Sequence, residues 1–361
     1  MTSLTPPAAT DSRPPLIGMS HAELLNLCKQ AGVKPTHADA LQAHIFRYGN
    51  QDVSALPDLP QDFYAYLEAH SSQLIPDLRA KQQSTDGSCK LLLGMVDGRE
   101  VETVLIPGKG RLTQCISTQV GCAVACTFCL TATGGLTRNL STAEMSSQIF
   151  AAQQHVGHRP RNLVLMGMGE PMHNYDAVAH FVRIATDPGG MAFSPRRITI
   201  STAGHVPGIK RMIEDNLPCS LALSLNASND ETRSHIMPIN RRWPIAEVLE
   251  WTARFAAGSK KRILIEYVLL AGINDSDTDA ERLVKLLADI PCTINLLPFN
   301  PFDGSEFSRP EEERVYAFRD VLVRSSRVVV VRESRGRDIS AACGQLRTEV
   351  QTARQRQHQP D

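Results

Sequence analysis

The feature of this sequence that most restricts its fold is an alternation that begins near residue 112. Short apolar, β-branched runs recur as QCISTQV, NLVLMGM, RITIST, SLALSL, ILIEYVLL and TINLLPF, each parted from the next by a helical stretch. Strands alternating with helices predict parallel βα units. Six such units are too few to close an eight-stranded barrel, so residues 112–330 are expected to form an open, partial (β/α)6 barrel of the α/β class. A last strand, RVVVVRE at 327–333, and a polar helical tail complete a C-terminal segment, 331–361. In barrels of this kind the catalytic groups collect at the C-terminal ends of the strands. Those ends read Gly121-Cys122, Gly167-Met168-Gly169-Glu170, Ser201-Thr202, Ser224-Leu225-Asn226 and Asn300. Polar residues and glycines thus follow the apolar runs at one end.

The first third of the chain has a different pattern. Ser20 and Glu23 form a capping box before LLNLC, with Gly32 after the helix. Thr36 can cap a second helix running through IFRYG to Gly49, and QDFYAYLEAH after Pro60 reads as a third. Residues 19–87 are therefore expected to be a small helical domain. SCKLLLGMVDGREVETVLIP, 88–107, holds two β-rich runs around Asp97-Gly98, the signature of a hairpin, here bounded as an extension over 88–111. Glu102 lies on its second strand; by itself it reads as a surface carboxylate.

A chain of 361 residues, 42% hydrophobic and 21% charged, can bury a core large enough for one domain with an appendage or for two domains. No apolar run approaches membrane-spanning length. MTSLTPPAATDSRPPL lacks the apolar centre of a signal peptide, so residues 1–18 are expected to be a flexible tail of a cytoplasmic protein. The odd count of nine cysteines argues against a secreted disulfide framework. Net charge is zero, and basic groups occur only locally, at Arg196-Arg197, Arg241-Arg242, Lys260-Lys261-Arg262 and Arg335 with Arg337. Each alone reads as a solvated patch; together they permit an RNA partner.

The chemistry is concentrated in GCAVACTFC, 121–129, where Cys122, Cys126 and Cys129 stand at spacings of four and three. Structural zinc usually takes four protein ligands, and an iron–sulfur cluster is normally held by four cysteines. Three thiolates on a cluster would leave one iron free to hold a substrate or cofactor. A zinc site completed by Cys115 satisfies the same spacing. Cys115 and Cys343, taken in isolation, read as small buried hydrophobes.

The segments VETVLIP, CISTQVGC, MGMGEP, ISTAG, IMPIN, LLPFNPF and RGRDISAACGQL, in this order, resemble the RlmN/Cfr family of radical S-adenosylmethionine (AdoMet) RNA methyltransferases over about residues 20–350. The resemblance implies a radical SAM barrel with a 4Fe–4S cluster on Cys122, Cys126 and Cys129, whose uncovered iron is chelated by AdoMet. It assigns Gly169 and Glu170 to the methionyl group, and Ser201, Ser224, Leu225, Asn226 and Asn300 to the rest of AdoMet. Cys343 is implied as the methyl-carrying cysteine, Cys115 as its resolving partner and Glu102 as a proton acceptor. Cys28, Cys89, Cys219 and Cys292 match no such role.

The implied reaction follows from the electronics of adenine. Its C2 and C8 carbons are electron-poor and do not attack a methyl sulfonium, whereas a cysteine thiolate does. One AdoMet would methylate Cys343, and a second, cleaved reductively, would supply the radical that activates the S-methyl group for addition to the base. Attack by Cys115 would then release methyladenosine and leave a transient Cys115–Cys343 disulfide for an external reductant. The expected partners are ribosomal RNA first, tRNA second, and an electron donor such as flavodoxin or ferredoxin, with the chain acting as a monomer away from membranes. C2 is the preferred carbon. A C8-specific or other-RNA methyltransferase is the alternative within the family, and a zinc-stabilised, non-catalytic RNA-binding protein the alternative outside it. The sequence departs from the family's usual pattern at Asn226, where histidine is usual, and at Leu130 and Leu136. It departs again after GIND, where a histidine is missing, and in KPTHADALQ, which lacks an arginine. These positions belong to the substrate side and the helical unit, so the resemblance carries the chemistry further than the target.

Overall fold

A computed structural model describes residues 12–346 except Lys109 and Lys260. Three short helices open the fold: α1 (His21–Gln30), α2 (Thr36–Gln42) and α3 (Gln61–His70). The capping box at α1 forms as expected, with the Glu23 amide donating to the Ser20 hydroxyl and the Ser20 amide to the Glu23 carboxylate. The second helix continues beyond α2 as one wider π turn, Ala43–Arg47, before Gly49.

The strands form one ten-stranded sheet and one small ribbon. β1 (Asp77–Gln83), β2 (Cys89–Gly94), β3 (Glu100–Gly108) and β4 (Arg111–Cys115) are successive antiparallel neighbours. Asp97-Gly98 makes the β2–β3 turn, with Gly98 in the left-handed region at φ 77°. β5 (Gln119–Gly121) and β6 (Leu136–Asn139) form the ribbon that flanks the cysteine loop. β7 (Asn162–Leu165), β8 (Ile198–Thr202), β9 (Ser220–Ser224), β10 (Ile263–Leu269), β11 (Cys292–Pro298) and β12 (Val329–Val331) then follow β4 in parallel. The sheet runs β1-β2-β3-β4-β7-β8-β9-β10-β11-β12, so it stays open, and the hairpin continues it without a break.

The helices between the strands are α4 (Leu130–Thr133), α5 (Thr142–Val156), α6 (Tyr175–Thr186), α7 (Val206–Glu214), α8 (Asp230–Ile236), α9 (Ile245–Ser259), α10 (Asp277–Leu286) and α11 (Glu312–Arg324). β10 shows how they divide the two faces of the sheet. Ile263, Ile265, Tyr267 and Leu269 are fully buried, while Glu266 and Val268 point the other way and line a cavity. The period of two along a strand separates a face that packs from a face that binds.

Two expectations need correction. Residues 77–83 are not part of the helical domain but form β1, a strand whose polar sequence, DLRAKQQ, hides it. A sheet edge is solvated and lacks the apolar alternation that signals a strand, and charge there discourages edge-to-edge pairing. The expected tail, 1–18, is no tail where the structure describes it. Leu16–Gly18 forms a single helical turn, Leu16 donates its amide to the Ser72 carbonyl, and Ile17 is fully buried. Residues 1–11, and the polar helical tail expected beyond Leu346, lie outside the described residues. Among the described residues no helix is long and apolar enough to cross a membrane.

Since Ile17 has no exposed surface, Ile17→Ala should destabilise the protein by about 2–4 kcal/mol through lost burial and a residual cavity. Urea unfolding checks this: an unchanged midpoint and slope would mean that the segment does not pack.

Candidate active site

A cavity of about 180 Å3 opens at the C-terminal ends of the parallel strands. It is lined by Cys122, Cys126 and Cys129 from the loop after β5, by Gly169 and Glu170 after β7, and by Ser201, Ser224, Asn226, Asn300 and Cys343. Most of the expected site residues therefore meet at one place, although they are spread over more than half of the chain.

The cysteine loop is held by backbone on two sides. The Cys122 amide donates to the Gly135 carbonyl at 2.8 Å, and the Thr127 amide to Ile236 at the end of α8 at 3.0 Å. Gly121 must be glycine: its φ is 79°, and a Cβ there would lie 2.0 Å from the Gly135 oxygen. Burial pushes the Cys122 thiol up to about 12, with Glu170 and Cys129 raising it further against a hydrogen bond from the Val124 amide. Burial also raises Cys126, which senses both other thiols, and Cys129. The three thiols therefore share one enclosed space.

This donor set fits a multi-iron cluster. A cubane takes one thiolate at each of several corners, whereas zinc draws its ligands around a single point. Among the described residues no three His, Cys, Asp or Glu side chains converge on such a point. Cys115, the fourth ligand that a zinc site requires, does not line the cavity.

Glu170 is fully enclosed. Its carboxylate accepts from the Met172 amide at 3.1 Å and the Ala203 amide at 2.8 Å, while its own amide donates to Gln119 Oε1 at 2.8 Å. Burial raises its pKa despite the bonds from the Ala203 and Met172 amides. Gly169 makes this approach possible, since a Cβ at its φ of 106° would meet Gln119 Cβ at 2.6 Å. The Ser201 and Ser224 hydroxyls face each other across 3.4 Å on neighbouring strands.

Asn226 sits at φ 58°, a left-handed conformation that asparagine tolerates. Its Oδ1 accepts from the Val268 amide at 2.8 Å and its carbonyl from Asn274 Nδ2 at 2.7 Å, so part of this side chain supports the scaffold. Leu225 lies apart from the cavity lining. It is fully buried, its amide donates to the Glu266 carbonyl, and its own carbonyl accepts from Arg233. Asn300 lines the cavity and accepts at its carbonyl from Gln345 Nε2 at 3.5 Å.

Cys343 has exposed surface, yet it is enclosed by protein because that surface opens into the cavity. Burial pushes its thiol up to about 11, with Glu266 and Cys129 adding to the rise and Arg332 opposing it. Cys115 lies behind the cavity wall. Burial raises its thiol strongly, the neighbouring Cys343 raises it further, and the Met166 amide hydrogen-bonds to it. All nine cysteines are free, so a Cys115–Cys343 bond is no feature of this fold.

Glu102 is not the surface carboxylate that its isolated sequence suggests. It is buried, and Lys90 Nζ lies 3.0 Å from its Oε1, with both side chains under 5% exposed. The register pairs Val104 with Cys115, and alternation puts Glu102 on the same face as Val104. Glu102 and Cys115 therefore share a face of the sheet, outside the cavity lining.

Two residues escaped the sequence reading. Arg233 is fully buried on α8 and donates to the carbonyls of Leu225 (2.9 Å), Ala203 (2.7 Å) and Ser224 (3.2 Å), and to Asn240 Oδ1 (3.0 Å). Burial lowers its pKa to about 10, with Cys126 and Asp230 opposing. Nothing local in ETRSHIMPIN distinguishes it from a surface arginine. Glu266 faces the cavity beside Ser224 and accepts from Asn295 Nδ2 at 2.8 Å; burial raises its pKa. A lone carboxylate inside ILIEYVLL was the available signal.

The comparisons with known proteins agree with this geometry. Residues 116–284 match the model of the radical SAM superfamily. The dual-specificity RNA methyltransferase RlmN of Pelobacter propionicus is 45% identical over 313 residues, covering 86% of this chain and 89% of its own. That of Syntrophobacter fumaroxidans is 44% identical over 327 residues, covering 90% and 95%. The crystal structure of a radical SAM methyltransferase from Sphaerobacter thermophilus superposes with a TM-score of 0.88 at 41% identity, over 92% of this chain and 99% of that one. The chain belongs to the RlmN family of radical SAM RNA methyltransferases.

Proposed function

We propose that this enzyme methylates an adenine carbon, C2 rather than C8, in ribosomal RNA and in tRNA, through an S-methyl group carried on Cys343. The observation that carries the reading is the placement of Cys343 in the same cavity as Cys122, Cys126 and Cys129, with the Cys115 thiol near enough for Cys343 to raise its pKa. When bound, the cluster and AdoMet supply a methyl group and, on reduction by a donor of the flavodoxin or ferredoxin class, a radical.

The chain's own residues divide the remaining work. Cys122, Cys126 and Cys129 hold the cluster, and Gly169, Glu170, Ser201, Ser224, Leu225, Asn226 and Asn300 make the AdoMet pocket, Leu225 as buried support beneath it. Cys343 takes the methyl group and carries its carbon to the base. Glu102, paired with Lys90 in its buried position, accepts the proton lost from the base carbon. Cys115 attacks the Cys343 sulfur, breaks the bond between protein and RNA, and forms the transient disulfide. The helices of the N-terminal unit, α1 to α3, and the exposed Arg241 and Arg242 hold the RNA. Digestion and mass spectrometry of ribosomal RNA and tRNA from a deletion strain, before and after treatment with the enzyme, test the reading. The appearance of 2-methyladenosine supports it, and 8-methyladenosine alone would assign the other carbon.

Cys122→Ala, Cys126→Ala and Cys129→Ala should each abolish iron binding and AdoMet cleavage. A cluster already short of one protein ligand has none to spare. Iron content and absorbance near 400 nm after anaerobic reconstitution measure this, and wild-type iron in any of the three would refute the assignment.

Cys115→Ala should still accept a methyl group on Cys343 and add to RNA, but with no thiol to break the bond a covalent adduct should accumulate. It would appear as a nuclease-trimmed mass shift on the peptide containing Cys343. Normal product without adduct would mean that release uses another group.

Arg241→Glu with Arg242→Glu should weaken RNA binding and leave AdoMet binding intact. The slope of log affinity against log salt should become shallower by roughly 0.7 for each phosphate that these arginines neutralise on single-stranded RNA. An affinity that does not change with salt would remove these arginines from the RNA surface.

A further inference from the structure

The segment that carries Cys343 has no regular structure of its own beyond one helical turn, Arg337–Ile339, yet its position decides whether the thiol faces the cavity. It is held at both ends. On the far side, the Gly344 carbonyl accepts from the Leu130 amide at 2.7 Å and the Leu346 carbonyl from the Thr131 hydroxyl at 2.7 Å, which ties it to α4 behind the cysteine loop. On the near side it meets the turn between β1 and β2. There the partners are exchanged in both directions. Asp86 of the turn accepts from the Gly336 amide at 2.8 Å and from the Ser88 amide at 2.8 Å. Asp338 of the segment accepts from the Ser84 hydroxyl at 2.6 Å and the Thr85 amide at 3.1 Å.

These contacts favour the ionised carboxylates. Burial pushes Asp86 up, but the Gly336 and Ser88 hydrogen bonds outweigh it and leave the group at about 2. The Ser84 hydroxyl and Thr85 amide likewise lower Asp338. The segment between the anchors is conformationally constrained. Gly336 has φ 66°, where a Cβ would meet Ala341 Cβ at 2.7 Å, and Ser340 adopts the left-handed region at φ 49°. A non-glycine residue held there costs free energy that the surrounding contacts must offset. Lys90 Nζ, already paired with Glu102, also reaches the Ser340 carbonyl at 3.4 Å.

We propose that the β1–β2 turn is a clasp in which Asp86 and Asp338 act as positioning residues, holding the 336–346 segment so that Cys343 faces the cavity. The inference rests on the reading of Cys343 as the methyl carrier and adds a device that sets its place. The clasp touches neither the cysteine loop nor the AdoMet pocket. Loosening it should therefore separate methyl loading from cofactor binding. It also explains why β1 and β2 belong to the barrel's sheet: the strand next to β3 delivers Lys90 to Glu102, and the turn beyond it grips the segment of Cys343.

The test uses the full-length, anaerobically reconstituted enzyme with AdoMet. In Asp86→Ala and Asp338→Ala, iron content and AdoMet affinity should match the unsubstituted protein. The rate of S-methylation at Cys343, read by peptide mass spectrometry, should fall by about tenfold in Asp86→Ala, which loses the one charge-assisted bond to Gly336, and by at least as much in Asp338→Ala, which loses the bonds from Ser84 and Thr85. Hydrogen–deuterium exchange of residues 336–346 should rise in the same variants, with or without the cluster. Asp338→Asn should recover most of the rate, since its amide oxygen still accepts from Thr85 and its amide nitrogen can donate to Ser84. Wild-type methylation and exchange in both alanine variants would overturn the clasp, and so would loss of the cluster together with methylation. If the unsubstituted enzyme carries no methyl on Cys343 at all, the reading of the carrier fails, a result distinct from failure of the clasp.

Discussion

The placement of Glu102 beside Cys115 depends on five pairs of residues, Val104 with Cys115 through Gly108 with Arg111, that join β3 to β4. This short antiparallel ladder fuses a hairpin to the first strand of a parallel barrel and fixes which residues share a face. A slip of one position would turn Glu102 and its Lys90 partner from one face of the sheet to the other, because side chains alternate along a strand. With the observed register, the Thr103 hydroxyl donates to the Cys115 carbonyl at 2.8 Å and the Ser117 hydroxyl to the Glu102 carbonyl at 2.6 Å. The ladder is thus reinforced by buried side chains where it passes from hairpin to barrel.

A second constraint acts at the strand ends. At the ends of β8 and β9 the chain carries buried carbonyls, of Ala203, Ser224 and Leu225, and buried carbonyls without a donor are costly. Arg233 supplies donors to three of them at once, while Glu170 accepts from the amide of Ala203 beside them. An arginine and a glutamate thus stitch the same short loop from opposite sides. Arginine suits the task, since its planar fork offers several donors in fixed directions. The acceptors are backbone carbonyls and an asparagine oxygen, so the cation stays in the interior next to the cysteine loop. This is a favourable location for a charge beside thiolates.

How much of this was legible in the sequence follows from how local each signal was. The six β-rich runs were legible because both faces of a parallel sheet are covered and the runs stay apolar. The capping box at Ser20 lies within four residues of sequence and forms as such motifs do. β1 carries no apolar period because it is a polar edge strand, and the β5–β6 ribbon carries almost none because its strands are three and four residues long and stand apart in sequence, with the cysteine loop and α4 between them. The burial of Ile17 required knowing that Leu16–Gly18 would pack beneath α5. Glu102 reads as a surface residue until Lys90, on another strand, neutralises it. The family motifs name residues without their surroundings, and the environment of each is set by partners far away in the chain.

The departures from the family pattern differ in where they fall. Asn226 occupies a left-handed position and spends Oδ1 on the Val268 amide, so the change from the usual histidine is absorbed by the strand ends under the cavity. Leu130 gives its amide to the Gly344 carbonyl, a bond that any residue but proline can make, and its half-buried side chain lies beside the segment of Cys343. Leu136 stands on the ribbon next to the cysteine loop with 42% of its surface exposed, an apolar side chain presented outward. None of these changes touches a thiol of the site, the Lys90–Glu102 pair or the Arg233 network. Of the three, only Asn226 lines the cavity, and there its side chain is already tied to the scaffold through Val268, while Leu130 and Leu136 stand outside the lining.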